Sequence, residues 1–508
     1  MGDRFKLAYI GAGSFRFSLG FFRNIVNATE LLPIEVALCD IDAYSLSLVT
    51  KILKRMVRLS AHLKGYKESD VLVSSSTDRT AALENADFVY KSISVGLQAA
   101  EWFDLYLPLK FGIPQNTGDT VGPGGLFRGL RSAPACAAIA QDMKRLCPKA
   151  PLLNYTNPVS SCTLAARTVA PGIQFIGLCH ELFNGMKLLK RFYNKRAGKH
   201  IKNWRDMHVE YAGLNHFGWF TGIEYGGEDL YPVLRENAHR LVLDRFRGRD
   251  AANGFNFYLL EKTGCFPYPG ARHVAEFLPD YYNAFNREKQ NQCRYWSFPE
   301  IRSVWRVHAE RRLTYAAFRL WADGLIPVPG PKKAGEWAME MTIDWRYDRS
   351  TQYVVNIPNS GTVPELPDNC IVEVPGYFKG GDLHSLEKIH VPKSVKDCLI
   401  PHCEQQLLTV KAALGNNPDL VIKAMLHEPM NKWIEDEERV EYLTKLMLFY
   451  EQKWLPKEWQ EWIPRKDELK KSRYWISPLE LSTKNNAFLV EKFPPKSDLK
   501  SKAFLWHD

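Results

Sequence analysis

The feature that most constrains the fold is a repeated alternation of strand-like and helix-like segments over the first two hundred residues. Short apolar runs such as FKLAYI, IEVALC, ADFVYK and IQFIGL alternate with segments of helical spacing such as SLSLVTKILKRMVRLSAHL. Repeated strand–helix units place their strands side by side and parallel, with helices on both faces. The sequence therefore predicts an α/β fold of the Rossmann type, with a doubly wound parallel sheet over residues 1–200.

The pattern changes after about residue 200. HVEYAGLNHFGWFTGIEYGGEDL is typical of two paired strands around a turn, and YPVLRENAHRLVLDRF has helical spacing, whereas later segments mix helix and loop. A chain of 508 residues is also too long for one ordinary hydrophobic core. We expect a second, α+β domain over residues 201–508 that packs against the first.

Composition limits the class of protein and its location. Hydrophobic residues make up 45% of the chain and charged residues 24%, as in soluble globular proteins. No apolar run has the length of a membrane span, and the first residues lack the pattern of a secretory signal. The cysteines are scattered, several within apolar runs, which is typical of reduced thiols. We expect a cytoplasmic protein with no membrane partner.

The formal charge of +10 raises the question of an acidic partner. Part of the excess lies in EQKWLPKEWQEWIPRKDELKKSRYW near the C-terminus, where basic residues alternate with aromatic ones. Such a segment could follow a nucleic-acid backbone, but an amphipathic surface helix and a turn are the commoner outcome. We expect no nucleic-acid partner. A small anionic substrate would need only one or two arginines in a pocket.

The first strand ends in GAGSFRF, where a dinucleotide-binding turn is expected. Gly11 and Gly13 allow a tight turn and a close approach of a pyrophosphate to helix amides, although Arg16 replaces the usual third glycine. Asp40 ends the second strand, where a carboxylate accepts the ribose hydroxyls of NAD and repels the phosphate of NADP. The alternative is a glycine turn without a ligand. The predicted NAD contacts are Gly11, Gly13, Ser14, Phe15 and Asp40.

Two further segments carry polar residues at places where ligands bind. NTGDTVGPGGLFRGLR, residues 116–131, is predicted to be a glycine-rich loop, and its Asp119 and arginines suit either a phosphate or sugar site or an ordinary loop. NYTNP places Asn154 and Asn157 at the carboxyl end of a strand, where open parallel sheets bind ligands. Asn157 could instead cap the following helix.

Cysteine and histidine residues at strand ends form a candidate metal site. Cys179 ends one strand-like run and His216 another, and a Cys–His pair leaves several positions open on a divalent ion. A histidine alone is more often structural, so the hypothesis depends on Cys179 and His216 lying close together in space.

Arg272, in PGARHVAEF, could bind a carboxylate bidentately or be a surface charge at a helix start. CLIPHC, residues 398–403, lacks a second half and is interpreted as packing.

Taken in order, GAGS, NYTNP, CHE, GLNH and RHVAEF resemble glycoside hydrolase family 4 over about the first 280 residues. These glycosidases depend on NAD and a divalent metal and are related in fold to lactate and malate dehydrogenases. The resemblance implies that hydride leaves C3 of the sugar, the C2 proton becomes acidic, the aglycone is eliminated, and hydride returns. It also implies NAD and Mn²⁺, or another divalent ion, as cofactors and a homodimer or homotetramer.

The resemblance assigns roles to residues at matching positions. It implies that Cys179 and His216 bind the metal, that Asn157 contacts the substrate hydroxyls, and that Asp119 lies near the reacting hydroxyls. His180, directly after the metal-binding cysteine, corresponds to the general acid of related enzymes, and an imidazole suits that role near neutral pH.

The general base is harder to assign, because Ala271 stands where some members carry an aspartate. Tyr268 is the candidate base, with Tyr281 and Tyr282 behind it. A substrate carboxylate would be bound by Arg272, alone or with a second arginine. The candidates for that second residue are Arg131 and Arg128.

Cys-His-Glu, residues 179–181, resembles the α-galacturonidase group and implies an anionic small glycoside, an α-glycoside of a uronic acid, as substrate. An α-galactosidase, α-glucosidase or α-glucuronidase of the same family is the alternative. Glu181 would repel a substrate carboxylate, so we expect it to orient His180 or to bind an arginine. A 2-hydroxyacid dehydrogenase and a non-catalytic NAD-binding regulator remain the alternatives of other classes.

Overall fold

A mixed sheet of thirteen strands organises the described part of the chain, with helices on both faces. The computed structural model describes residues 4–242, 253–289, 304–332, 334, 337–386, 388–415, 417–434 and 436–478. The first strands are β1 (Phe5–Ile10), β2 (Ile34–Cys39), β3 (Val71–Ser76), β4 (Phe88–Lys91), β5 (Leu152–Asn154) and β6 (Phe175–Gly177). The first helices are α1 (Ser18–Ile25), α2 (Ala43–Lys64), α3 (Arg79–Leu83), α4 (Leu97–Lys110), α5 (Gly122–Leu146), α6 (Val159–Val169) and α7 (Glu181–Arg196).

The first six strands form the predicted parallel sheet, in the order β3-β2-β1-β4-β5-β6. Their apolar residues are buried on both faces, which explains the nearly continuous apolar runs of the sequence. The strand order reverses between β1 and β4, so the carboxyl ends of these strands border the crevice in which α/β proteins bind ligands. The prediction of a Rossmann-type α/β fold is confirmed.

The later strands extend the same sheet in antiparallel fashion, in the order β6-β11-β12-β7-β8-β10. These strands are β7 (His208–Leu214), β8 (Phe217–Tyr225), β9 (Glu228–Asp229), β10 (Phe266–Pro267), β11 (Tyr353–Pro358), β12 (Ile371–Lys379) and β13 (Asp382–Ser385). The predicted hairpin is β7–β8. One sheet therefore runs through both predicted domains, and the boundary at residue 200 stays a prediction.

Helices of the second half complete both layers. They are α8 (Tyr231–Val242), α9 (Gly254–Thr263), α10 (Ala271–Phe277), α11 (Pro279–Lys289), α12 (Val304–Asp323), α13 (Ala338–Arg346), α14 (Lys393–Leu414), α15 (Pro418–His427), α16 (Glu437–Glu451) and α17 (Lys466–Leu469). Helices α14, α15 and α16 pack against α4, α5 and α6 in one hydrophobic cluster. Within the described ranges, no helix is both long enough and apolar enough to span a membrane.

The glycine-rich segment 116–131 is only partly a loop, which corrects the prediction. Helix α5 begins at Gly122, so most of its glycines are helical. A Cβ on Gly124 would overlap the carbonyl of Asp104 in α4, and one on Gly129 would lie 2.8 Å from Thr409 in α14. Gly124 and Gly129 therefore allow α5 to pack closely against α4 and α14.

Arg131 is a structural residue, and this corrects its predicted place among the substrate contacts. Its side chain is 2% exposed and pairs with Asp104 at 2.8 Å and with Glu451. The three residues join α5, α4 and α16. Both carboxylates are buried and compensate the guanidinium charge, so Arg131 has no face toward a substrate.

The C-terminal basic and aromatic segment also serves packing. Trp459 is buried in the cluster with α4, and the hydroxyls of Tyr442 and Tyr450 donate to backbone carbonyls of the segment that follows α16. CLIPHC lies within α14, where its His402 is buried beside the carbonyl of Phe277, and burial lowers the pKa of His402 to about 4. The interpretation of CLIPHC as packing is consistent with this placement.

Removing the Arg131 guanidinium should destabilise the protein strongly. In Arg131→Ala, two buried carboxylates lose their counter-charge, and we expect a loss of about 3–5 kcal/mol in the free energy of unfolding. Urea denaturation followed by tryptophan fluorescence measures the change. Arg145→Ala, in the same helix but largely exposed, is the matched control and should have little effect. Wild-type stability in Arg131→Ala would contradict the structural role.

Candidate active site

The glycine turn after β1 is shaped by the absence of two side chains. Gly11 has a φ of +87°, and a Cβ there would overlap the carbonyl of Ser92 after β4. The amide of Gly13 donates to Asp40 Oδ2 at 2.8 Å, and the amide of Asp42 donates to Asp40 Oδ1 at 2.9 Å. Asp40 therefore lies at the predicted place, but both of its oxygens accept hydrogen bonds from backbone amides.

Ser14 and Phe15 continue this turn and are partly buried. The amide of Ser14 donates to the Gly11 carbonyl at 3.1 Å, which closes the turn ahead of α1. Asp42, which follows β2, caps α2 by accepting from the amides of Tyr44 and Ser45. Gly11, Gly13, Ser14 and Phe15 thus form one compact element at the carboxyl end of β1.

Three predicted site residues from distant segments converge beyond this turn. Asp119 accepts from Asn157 Nδ2 at 3.1 Å, and its Oδ1 lies 3.8 Å from His216 Nδ1. Asp119 belongs to the loop before α5, Asn157 to the loop after β5, and His216 to the turn between β7 and β8. Helix α6 has Pro158 at its N-cap and no side-chain cap, so the alternative that Asn157 caps the helix is wrong.

His273 joins this group, and the sequence had given it no role. Asp119, His216 and His273 each offer one possible ligand atom, and these three atoms lie within 4.8 Å of one another. The centroids of the two imidazole rings are 4.0 Å apart. Burial lowers the pKa of His216 to about 3, which keeps the ring in the neutral form that metals bind. Two imidazoles and a carboxylate suit a divalent ion with open positions.

Cys179 lies near this group but outside it. Its Sγ accepts a weak hydrogen bond from the amide of Glu181 at 3.5 Å, and burial raises the pKa of the thiol, with Glu373 and Glu181 adding to the shift. Cys179 does not belong to the group of three described donors that lie within 4.8 Å of one another, so the predicted metal pair of Cys179 and His216 stays a prediction.

A small pocket opens beside Cys179. His180, whose side chain is 62% exposed, lies on its rim next to the thiol. The other lining residues are Tyr155, Leu178, Phe183, Trp337, Met341, Tyr353 and Val354. Aromatic and aliphatic walls around two reactive side chains are typical of small-molecule sites.

Glu181 anchors the segment that carries Arg272. Its carboxylate accepts from the amide of Gly270 at 2.9 Å and from Asn184 Nδ2 at 3.1 Å, and it lies 3.7 Å from His180 Nε2. Gly270 is the N-cap residue of α10, whose first turn carries Arg272 on an exposed face. Glu181 was expected to orient His180 or to bind an arginine, and the structure shows its contact with His180. The structure also shows that Glu181 holds the start of α10 through the Gly270 amide.

Glu276, at the other end of α10, holds the loop that carries Asp119. Its buried carboxylate accepts from the amides of Thr117 at 2.7 Å and Gly118 at 3.1 Å. Asn116 Nδ2 adds a hydrogen bond to the carbonyl of Arg272 at 3.0 Å. Helix α10 therefore fixes the Asp119 loop and the Arg272 side of the site relative to each other, although no sequence signal had indicated this.

Tyr268, the candidate base, is buried and its hydroxyl is already bonded. It donates to Glu373 Oε1 at 2.6 Å, and Glu373 Oε2 accepts from Asn356 Nδ2 at 2.8 Å. Burial raises the pKa of Tyr268 well above its usual value, and Glu373 adds to the shift. Tyr268 by itself therefore stays protonated and has no free site to accept a proton. Glu373 lies on β12, more than a hundred residues away, and no motif marks it.

Comparison with known proteins identifies the family. Residues 6–195 match the model of family 4 glycosyl hydrolases, and residues 211–431 match the model of the C-terminal domain of the same family. The chain belongs to the family 4 glycosyl hydrolases. It is accordingly a glycosidase, and the resemblance stated from GAGS, NYTNP, CHE, GLNH and RHVAEF is confirmed.

The curated relatives include enzymes with several substrates. An α-galacturonidase of Lachnoclostridium phytofermentans is 30% identical over 465 residues, which cover 89% of this chain and 97% of that protein. An α-galacturonidase of Bacillus subtilis is 31% identical, and the match covers 84% of this chain and 94% of that protein. An α-galactosidase of Rhizobium meliloti is 27% identical, with 89% of each chain covered.

Solved structures show the same fold. A Bacillus subtilis protein described as a glucosidase, lplD, has a TM-score of 0.77 and 30% identity, with 88% of this chain and 100% of that chain covered. A 6-phospho-α-glucosidase from gut microorganisms, solved with NAD and Mn²⁺, has a TM-score of 0.72 and 20% identity, with 89% and 99% covered.

The anchor between Glu181 and α10 can be tested by hydrogen exchange. In Glu181→Ala the Gly270 amide loses its acceptor, so we expect faster exchange at the start of α10 and at most a small loss of stability. Exchange measured by mass spectrometry on peptides covering residues 268–277 reports the change. Asn184→Ala removes the other partner of Glu181 but leaves the Gly270 bond, and equal protection in both variants would contradict the anchor.

Proposed function

We propose that this protein hydrolyses α-glycosides of uronic acids, with α-galacturonidase activity expected, using NAD and a divalent metal ion. The convergence of Asp119, Asn157, His216 and His273 beside the pocket of Cys179 and His180 supports this proposal. The identity of about 30% to two α-galacturonidases, over most of the chain, favours the uronide over the neutral sugar.

The donors present fit a divalent ion such as Mn²⁺. His216 is neutral, Asp119 is close to it, and a thiol lies nearby, so hard and soft ligands are both available. Following the resemblance, we assign the ion to His216 and Cys179, with Asp119 and His273 as the other donors around it.

The glycine turn fits a dinucleotide. A side chain is excluded at Gly11 by the Ser92 carbonyl and at Gly13 by Asp40, so the turn keeps the tight backbone that a dinucleotide-binding turn needs. When bound, NAD accepts and returns a hydride, and the metal ion stabilises negative charge on sugar oxygens as a Lewis acid.

The chain's own residues supply orientation and proton transfer. Asn157 is held by its hydrogen bond to Asp119, which places its amide at the edge of the site for contact with sugar hydroxyls. His180, exposed on the pocket rim and 3.7 Å from Glu181, donates a proton to the leaving oxygen. Tyr268 acts as base only together with ionised Glu373: its hydroxyl proton passes to Glu373 along the existing hydrogen bond while its oxygen accepts the proton from C2 of the sugar.

Arg272 is the proposed contact of the substrate carboxylate. It is exposed in the first turn of α10, next to His273 and after Gly270. Because Glu181 holds the Gly270 amide, the third residue of Cys-His-Glu determines where Arg272 is placed. Through Gly270, Glu181 would contribute to uronide recognition by positioning Arg272, without itself contacting the substrate.

A glycoside panel tests the activity. With NAD, Mn²⁺ and a thiol reductant, we expect hydrolysis of 4-nitrophenyl α-galacturonide, no stoichiometric NADH, and loss of activity with EDTA that Mn²⁺ restores. Stoichiometric NADH formation would instead identify a dehydrogenase. NAD binding without hydrolysis of any glycoside or uronide, and without response to Mn²⁺, would identify a non-catalytic regulator.

Arg272→Ala tests the choice of sugar. Loss of a charged hydrogen-bond partner should raise the barrier for α-galacturonide hydrolysis by about 1.5–3 kcal/mol, read as a fall in kcat/KM. Cleavage of the matching α-galactoside, which lacks the carboxylate, should change little. Arg272→Lys keeps the charge without the planar fork and should retain part of the activity. Equal losses for both sugars would remove Arg272 from carboxylate recognition.

A further inference from the structure

Helix α12, from the second half of the chain, lies over the glycine turn. The Tyr315 hydroxyl donates to the carbonyl of Gly13 at 2.5 Å, and the rings of Tyr315 and Phe15 are 6.5 Å apart. Arg16 and Glu310 form an exposed ion pair at 3.7 Å beside them. The turn that the sequence marks as a dinucleotide site is therefore covered by a segment about three hundred residues away.

Arg311 of this helix is buried and forms no close ion pair with a carboxylate of the described residues. It is 7% exposed, its Nη1 donates to Gln98 Oε1 at 3.4 Å, and its guanidinium lies 5.3 Å from the ring of Tyr315. Among the residues that the structure describes, no carboxylate oxygen lies within 4.0 Å of it, in contrast to Arg131 with its two. Asp40 acts on Arg311 electrostatically, but without a close ion pair it compensates the buried charge only in part. A buried cation that is compensated only in part favours a bound anion.

The position of Arg311 identifies the kind of anion. Gln98 is in the first turn of α4, just beyond β4, and Tyr315 touches the turn after β1, so Arg311 lies between the carboxyl ends of β1 and β4. A bound dinucleotide carries its diphosphate at this point of a Rossmann sheet. Asp40 lies nearby and interacts with Arg311 electrostatically, while its oxygens accept from the amides of Gly13 and Asp42.

We propose that Arg311 binds the diphosphate of NAD, so that α12 supplies a coenzyme contact from the second half of the chain. The guanidinium donates hydrogen bonds to phosphate oxygens, and Tyr315 positions the helix by its bond to Gly13. This inference rests on the proposed use of NAD. It adds a binding residue that lies far outside the glycine motif.

Ligand binding to purified variants tests this assignment. Arg311→Met keeps the aliphatic stem and removes the cation, and Arg312→Met, at the exposed neighbouring position, is the matched control. Calorimetric titration with NAD, ADP and adenosine gives the dissociation constants. We expect Arg311→Met to weaken NAD and ADP by roughly tenfold or more, with adenosine unchanged and with Arg312→Met equal to wild type for all three.

Stability measurements separate binding from folding. Because Arg311 forms no ion pair within 4.0 Å in the described part of the chain, ligand-free Arg311→Met should unfold at or near the wild-type temperature, while the upward shift caused by saturating NAD shrinks. Arg311→Lys keeps a charge and should bind NAD with intermediate affinity, and it serves as the test variant if Arg311→Met does not fold.

The outcomes distinguish this inference from the proposed function. Wild type that fails to bind NAD would reject the use of NAD itself. Wild type that binds NAD while Arg311→Met, or Arg311→Lys in its place, binds equally well would reject only the role of Arg311. An equal loss of ADP and adenosine binding would also reject it, because the diphosphate would not be the group recognised.

Discussion

Gly177, the last residue of β6, has no room for a side chain. A Cβ there would overlap Val159 in α6 and lie 2.8 Å from the Cβ of Asn356, the residue of β11 that pairs with Gly177. This close approach is the point at which the strands of the second half join the parallel sheet. Asn356 in turn binds Glu373, and Glu373 binds Tyr268. The order of the site beyond β6 thus depends on a single missing side chain.

Buried carboxylates then fix the loops that surround the site. Glu181 holds the start of α10, Glu276 holds the loop of Asp119, and Glu373 holds Tyr268. Each accepts hydrogen bonds from backbone amides or from a side-chain donor, which offsets the cost of burying the group. These three buried glutamates therefore hold in place the segments that carry Arg272, Asp119 and Tyr268.

Several properties followed from local patterns. The alternation of apolar runs and helical segments predicted the parallel sheet, and the β7–β8 hairpin followed from HVEYAGLNHFGWFTGIEY, because both depend on periodicity within a few residues. Three interpretations failed for one reason. In segment 116–131 Gly124 and Gly129 lie in a helix and pack against α4 and α14, Arg131 pairs with Glu451, and Asn157 binds Asp119 instead of capping α6. Each of these contacts joins residues that are distant in sequence.

The sequence by itself determined the α/β class, the glycine turn after β1 and the family, because these reside in short-range spacing and in the order of short motifs. Only the tertiary structure decided that His273 stands beside His216, that Glu181 acts on Gly270, and that Arg311 reaches the crevice between β1 and β4. Those contacts join segments separated by tens to hundreds of residues. Burial and charge act through space, and no local pattern records which distant side chains will meet.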